Sequence, residues 1–554
     1  MINILNKKLT TYIILILIIL IGIFLRFYQL GSNPPSLTWD EVSLGYNAYS
    51  ILKTGSDEYG NRFPLSIRSF DDHKPPLYAY LAVPSIAIFG LNEFSVRLPS
   101  AIIGVLSVVA IYFLVKEFLQ RWDKKHQELI ALASALFLAI SPWHLQFSRG
   151  AFEGNIGLFF LLVGILFFLK GLNRSNLFLL SSFSFVLSIY SYHSFRLLVP
   201  LILLFFGIIF WKKILKGKLY FIISILLLGL LVLPVYFSFI KTQDSSSRLS
   251  MVTIFSDPTV INSSIERLSL DKNNNDYIGS LIHNRRIVYS LAMAKNYFDH
   301  FNPDFLFFHG DGGLQHHAVE MGMLYLWDLP FIVIGLYFLF RKFDRYILTL
   351  VILFLIAPLP ASITTGTPHP IRAITLLAPF HIFSAIGFVF LTSKILGMRK
   401  IIYKVIFLPA IILSLLLNFI YYMHQYYVHT PIEYGYFWQY GYKDALVYAR
   451  ENEAEFDKIV MTYEYDQPYI YYLFYNKIDP LWYQKNWDNN KNGLVDRFER
   501  SIGKYTFKNI NYSKDIDIPN TLLIGTPKEI PDNAKVIKTI KFPDGRVAFE
   551  IVKT

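Results

Sequence analysis

The sequence predicts a mainly α-helical, polytopic membrane protein. About eleven transmembrane helices are expected, with juxtamembrane helices in the first outer loop and a small C-terminal extracytoplasmic α/β domain. Three observations carry this. Of 554 residues 54% are hydrophobic, and the mean hydropathy is positive at +0.40. Apolar runs of about 20 residues, the length that crosses a hydrocarbon core, recur along the chain. The lysines and arginines that raise the net charge to +12 sit in short links between those runs. That distribution orients helices in a bilayer, so the basic balance does not point to nucleic acid as a partner. The absence of cysteine excludes disulfides, zinc–thiolate sites and thiol nucleophiles.

Residues 11–30 make the first span. It reads as a retained signal anchor, because no small-residue cleavage site precedes Phe24-Leu25-Arg26-Phe27. Lys7 and Lys8 ahead of it hold the N-terminus in the cytoplasm, which puts the first loop, 31–96, outside. Residues 77–91 are apolar but short and interrupted by Pro84, and they are expected to lie along the interface or re-enter. With that placement, spans near 97–119, 129–143, 154–171, 176–192, 197–211, 219–240, 321–340, 346–361, 371–392 and 401–422 alternate cleanly. Every basic link then falls inside: Arg121/Lys124/Lys125, Lys170/Arg174, Lys212/Lys213/Lys216/Lys218, Arg341/Lys342/Arg345 and Lys394/Arg399/Lys400. The chain is accordingly expected as a multi-pass plasma-membrane protein.

Four polar regions fall outside: 31–96, 143–153, 241–320 and 361–370. The third is too long for an ordinary connection and reads as a functional or partly helical loop. Residues 1–423 form the transmembrane domain, and 424–554 a soluble extracytoplasmic domain. In the latter a helix is expected at Tyr442–Asn452, with strands at Lys458–Thr462 and Thr521–Ile524. A hairpin should turn at Pro543-Asp544-Gly545-Arg546, the Asp-Gly pair supplying positive φ angles.

The chemistry concentrates in the first outer loop. In Leu37-Thr38-Trp39-Asp40-Glu41, an acid at the mouth of a helical bundle can deprotonate a hydroxyl as it attacks an anomeric carbon. The same residues also suit the start of a helix over Val42–Leu52. In His73-Lys74-Pro75-Pro76 the prolines place Lys74 at the head of the 77–91 helix, where a cation and a helix N-terminus suit a phosphate. A snorkelling interfacial lysine has the same sequence. Ser148-Arg149-Gly150-Ala151-Phe152-Glu153 puts Arg149 and Glu153 four apart, where they can pair as a salt bridge or face a cavity. Tyr192, His193 and Arg196 lie at the third outer turn, and His369 and Arg372 at the fifth. Several cations facing one outer cavity suit a phosphate headgroup, which guanidinium grips in a bidentate fork. The outer histidines lack helical metal-pair spacing, so no cofactor is certain, and a divalent metal is possible but not indicated. No Walker loop, dinucleotide fingerprint or nucleophile elbow is present.

Taken in order, Asp40-Glu41, Lys74-Pro75-Pro76-Leu77, Val96-Arg97-Leu98-Pro99-Ser100 and Ser141-Pro142 leading to Glu153 resemble the protein O-mannosyltransferase and aminoarabinose-transferase-like glycosyltransferases. These are membrane enzymes of the C-type (GT-C) superfamily, and the resemblance covers roughly residues 9–200. It implies a GT-C fold, a polyprenyl-phosphate-linked sugar donor, and inverting transfer to an extracytoplasmic acceptor (protein, lipid or glycan). It further implies Asp40 as base, Glu41 as its partner, Glu153 as a second acid and Lys74 as a phosphate contact, with Arg372 matching loosely. One departure is His73, where the aminoarabinose branch often has an acid that can join a metal. The alternative function, a transporter or flippase of lipid-linked sugars, predicts charges near the bilayer midplane and two related halves. Here the charges gather at one face and no halves are evident. Tyr463, Tyr465, Tyr469, Tyr471, Tyr472, Trp482 and Trp487 could stack on sugars or build the core of the C-terminal domain.

Overall fold

The structure is a computed structural model that describes residues 2–70, 72–241, 252–486 and 499–554. Asp71, Trp487 and the segment 242–251 of the long outer loop lie outside the described residues. The chain opens with α1 (Ile2–Phe27) and α2 (Trp39–Thr54). A hairpin of β1 (Ile67–Ser69) and β2 (Asp72–Lys74) precedes the short apolar α3 (Leu77–Phe89). Next come α4 (Glu93–Phe118), α5 (Lys124–Ile140), α6 (Pro142–Arg149) and α7 (Glu153–Gly171). They are followed by α8 (Leu177–Ile189), α9 (His193–Ile214) and α10 (Lys218–Lys241). The long polar segment after α10 is helical in part, with α11 (Pro258–Asn273) and α12 (Arg285–Asp299). The apolar series ends with α13 (Asp328–Arg341), α14 (Arg345–Ile356), α15 (Leu377–Leu396) and α16 (Ile401–His424). Beyond it lie α17 (Tyr442–Glu451), β3 (Lys458–Met461), α18 (Pro468–Tyr475) and α19 (Pro480–Asn486). The chain closes with β4 (Arg500–Ile502), β5 (Tyr505–Phe507), β6 (Thr521–Gly525), β7 (Val536–Lys541) and β8 (Val547–Lys553).

Every expected span coincides with a helix, but their lengths differ. Among the described residues seven stretches are long and apolar enough to cross a membrane, or eight if α5 and α6 count as one span bent by 55°. One of the seven, His193–Phe237, holds both α9 and α10. At 13 and 14 residues, α8 and α13 fall short of the roughly 20 that an untilted crossing needs. Pro142 accounts for the bend between α5 and α6, since it has no N–H to continue the helical ladder.

The chain divides into two compact units. One comprises Met1–Arg26, Ile102–Ser148 and Glu153–Met423; the other comprises Phe27–Ala101, Arg149–Phe152 and His424–Thr554. The first loop therefore groups with the C-terminal segment rather than with the helices that flank it in sequence.

In the helical unit, close packing rests on small residues, as expected where helix association draws on van der Waals contact. A Cβ on Gly335 of α13 would stand 1.9 Å from the Phe383 carbonyl oxygen, and one on Gly387 of α15 would stand 1.9 Å from that of Phe331. The two backbones touch directly. Gly157 of α7 makes similar room for the Phe195 ring.

The second unit contains a six-stranded sheet in the order β4-β5-β3-β6-β8-β7. Strand β3 runs parallel to β5 and β6, while the outer pairs are antiparallel. Val460, Ile510, Leu523, Ile530 and Val552 form a buried core against it. The β7–β8 connection lies where expected, but only Gly545 takes a positive φ (89°). A longer loop, closed by the Phe542 N–H to Arg546 carbonyl bond of 2.8 Å, relieves Asp544 of that requirement.

Candidate active site

The N-terminus of α2 is built by local chemistry. Thr38 Oγ1 accepts the Glu41 N–H (3.3 Å), and Glu41 Oε2 accepts the Thr38 N–H (3.1 Å), a reciprocal capping box. Glu41 does more than cap. Its Oε1 accepts Arg97 Nε (2.9 Å) and the Ala151 N–H (2.9 Å), and its Oε2 accepts Arg97 Nη2 (3.1 Å). Arg97 in turn donates to the carbonyls of Leu30 (3.3 Å), Pro34 (2.8 Å) and Ser36 (2.5 Å). The residues are 0% and 2% exposed for Arg97 and Glu41. Each carboxylate oxygen of Glu41 thus carries two bonds, which leaves no room for substrate chemistry. Glu41 fits a positioning residue that ties α2, α4 and the 149–152 turn together.

Asp40, its neighbour, is different. Its side chain is 46% exposed and its Oδ1 pairs with Lys74 Nζ, while the Lys74 side chain is only 9% exposed. A half-open carboxylate therefore sits beside a buried ammonium. Lys74 ends strand β2 and is paired in register with Ile67, three residues before α3 begins. Pro75 and Pro76 hold it extended, so it stands ahead of the helix and not at its first turn; Pro76 takes the N-cap position. His73, opposite Arg68 in the hairpin, reaches Ser66 Oγ through Nδ1 at 3.4 Å.

Arg149 belongs to the same unit. Its Nε donates to Tyr426 Oη (2.9 Å) and its Nη2 to the Asn33 carbonyl (2.9 Å). The guanidinium also lies over the Tyr426 and Tyr427 rings, 5.2 and 5.3 Å from their centroids. Arg149 ends α6 and Glu153 opens α7, so the two are not one turn apart on a single helix.

Glu153, Tyr192, His193, Arg196, His369 and Arg372 fall in the helical unit. Tyr192 is the N-cap of α9, and its ring stands 6.3 Å from that of His193. Arg196 lies in the first turn of the same helix, and Arg372 Nη1 is held by Thr364 Oγ1 (2.7 Å) and the Thr365 carbonyl (2.9 Å). Among the described residues no group of three or more His, Asp or Glu is placed to hold a metal.

Half-buried His369 lies in a polar cluster with the fully buried His300. Its N–H donates to His300 Nε2 (3.1 Å), while His300 Nδ1–H donates to the Asn296 carbonyl (2.8 Å). Both nitrogens of His300 are committed in the neutral form. Burial, and then the Arg372 guanidinium, hold His369 well below the usual imidazole range. Burial likewise lowers His300, against the opposing pull of Asn296 and Asp299. A base with a lowered folded pKa contributes stability above its unfolded value, about 6.5, and loses it as pH falls below that. Acidification from pH 7.5 to 5 should therefore open the 363–373 loop, read as faster amide exchange there after correction for intrinsic rates. An exchange rate flat across that window would refute the expectation.

Three residues that organise the site had no role assigned from sequence. Arg97 carried a signal, a lone cation inside an apolar run. Tyr426 and Asn33 carried none, because only the fold brings them to Arg149.

The comparisons with known proteins bear on this arrangement. Residues 73–237 match the family model described as dolichyl-phosphate-mannose-protein mannosyltransferase. In structure the chain is similar to ArnT from Cupriavidus metallidurans in the apo state, with TM-score 0.54 and 12% identity over 99% of this chain and 98% of that one. The same protein bound to undecaprenyl phosphate gives TM-score 0.53 and 12% identity, covering 97% of each chain. The archaeal oligosaccharyltransferase AglB from Archaeoglobus fulgidus, in complex with an inhibitory peptide and a dolichol-phosphate, gives TM-score 0.50 and 15% identity over 86% of this chain. The chain spans 64% of that protein's length. No curated protein matches it in sequence. The architecture is the GT-C fold, and residues 73–237 within it match the mannosyltransferase family model. With seven stretches among the described residues long and apolar enough to span, the chain is a multi-pass membrane protein.

Proposed function

We propose that the chain moves a sugar from a polyprenyl-phosphate-linked donor to an extracytoplasmic acceptor with inversion at the anomeric carbon. The observation that carries this is the pairing of a half-exposed carboxylate, Asp40, with a buried lysine, Lys74. Asp40 takes the proton of an acceptor hydroxyl as its oxygen attacks the anomeric carbon from the face opposite the phosphate. The bond from that carbon to the phosphate oxygen breaks, and the polyprenyl phosphate leaves with the electron pair. Lys74 receives the developing charge, and its ammonium exchanges Asp40 for phosphate oxygens as the donor enters. Arg149 adds a second cation to the phosphate side.

The positive-inside distribution supports a cytoplasmic N-terminus with the first loop and residues 424–554 outside. In this reading Glu153 is a second acid, and His73, Tyr192, His193, Arg196, His369 and Arg372 contact donor or acceptor. ArnT with undecaprenyl phosphate and AglB with dolichol-phosphate support a lipid-phosphate donor.

Purified protein in proteoliposomes, given candidate polyprenyl-phosphate sugars and acceptors, should yield a glycoside detected by mass spectrometry. Movement of labelled lipid-linked sugar between leaflets with no glycoside formed would overturn the proposal. Lys74→Gln should raise the donor KM about ten- to a hundredfold, the worth of one charge-assisted hydrogen bond. A donor KM within twofold of wild type would remove Lys74 from the phosphate site.

A further inference from the structure

Residues 424–554 read from sequence as a domain with an aromatic face for sugars or for its own core. In the structure Tyr469 and Tyr471 are 0% exposed and Tyr472 is 7% exposed, so none of them offers a free face. Their neighbours explain why. Along the stretch Pro468–Asn486 the side chains divide: Tyr469 packs on Phe70 and Arg500 and Tyr472 on Tyr505 and Phe507, while Tyr471, Phe474 and Gln484 face α2 and the residues that lead into it.

We infer that α18 and α19 form the backing that sets the position of α2, and that Tyr471 is a positioning residue for Asp40. The inference rests on the proposed role of Asp40 as base. Tyr471 Oη donates to the carbonyl of the fully buried Leu37 (3.0 Å), three residues ahead of Asp40. The Tyr471 ring is stacked on Tyr442, with centroids 4.3 Å apart and planes 6° from parallel, which fixes where the hydroxyl points. Burial keeps that phenol protonated, raising it well above the usual tyrosine range, so it remains a donor.

Further along, a Cβ on Gly45 would stand 2.6 Å from Val96 Cγ2 and 2.8 Å from Phe474 Cε2, so α2 packs there against both α4 and α18. Tyr46 Oη donates to the Ile478 carbonyl (3.1 Å). Gln484 Nε2 reaches Ser50 Oγ (3.0 Å), Thr54 Oγ1 (3.2 Å) and the Asp57 carbonyl (2.7 Å). Positions 46, 50 and 54 follow one another at single helical turns, so these contacts run to the end of α2. Elsewhere on the helix, Ser43 Oγ meets Ser69 Oγ at 2.9 Å, and Asp40 meets Lys74. Helix α2 is thus held by the hairpin that carries Lys74, by Arg97 and the 149–152 turn through Glu41, and by the C-terminal segment, whose bond to the Leu37 carbonyl adds to these in placing Asp40.

Displacement of a reacting group by about 1 Å is enough to cost roughly a hundredfold in rate. In the full-length enzyme Tyr471→Phe, which keeps the ring stacking, should lower kcat about tenfold with the donor KM within twofold of wild type. It should also speed amide exchange in residues 39–45 selectively. Gly45→Ala, which overpacks α2 against Phe474 and Val96 with the hydrogen bond intact, should lower kcat in the same way. Wild-type kcat per folded molecule in both variants, even at reduced yield, would overturn the inference and leave Tyr471 a structural residue. Failure of the underlying reading has a separate signature, because Asp40→Asn would then turn over normally whatever Tyr471 does.

Discussion

Replacing Asp40 by asparagine should lower sugar transfer by about 10²–10⁴-fold, the usual contribution of a positioned general base. Asparagine keeps the size of the side chain and takes away only its ability to accept the acceptor's proton. The half-exposed setting of Asp40 predicts little loss of fold. In the proposed mechanism Asp40 also competes with the donor for Lys74, since one ammonium would serve both the ion pair and the incoming phosphate. Donor affinity in Asp40→Asn should accordingly equal or exceed that of wild type, even as turnover collapses. Single-turnover assays combined with displacement of a labelled polyprenyl phosphate separate the two effects. Turnover near the wild-type rate, or donor affinity lost along with it, would reject the assignment.

The second large effect is expected at Arg97. Its guanidinium joins Glu41 to the carbonyls of Leu30, Pro34 and Ser36 with no exposure to water. Arg97→Met leaves an uncompensated buried carboxylate and should destabilise the fold by about 3–5 kcal/mol. Buried ion pairs can often be replaced together by apolar residues at little cost. That rescue should fail here. In an Arg97→Met, Glu41→Leu double variant, three carbonyls and the Ala151 N–H would lose their partners as well. Thermal unfolding in detergent should show the double variant no more stable than Arg97→Met. Recovery to near wild-type stability would mean that those backbone groups find other partners.

Much of this architecture was legible in the residue pattern. The helical series follows from apolar runs and basic links, and α17, β3 and β6 lie within a residue or so of where periodicity puts them. Strands β4 and β5 were not legible, because three residues such as Arg500-Ser501-Ile502 are too few to show alternation. At the site, Asp40 and Lys74 could be read as a pair from charge and loop position. The division of labour inside Asp40-Glu41 could not. Two adjacent carboxylates look alike in sequence, and only the fold shows that one is saturated by Arg97 and Ala151 while the other stays half open. The grouping of residues 27–101 with 424–554 was equally hidden, since it depends on contacts between segments hundreds of positions apart.

The meeting of Gly335 and Gly387 sets a limit on how the helical unit can deform. Where two main chains touch, no layer of flexible side chains remains to yield. Sliding one helix along the other would drive a carbonyl into the opposing chain within a fraction of a residue. The α13–α15 pair should consequently behave as a rigid strut, and shape changes within this unit during turnover must be absorbed by its other helices.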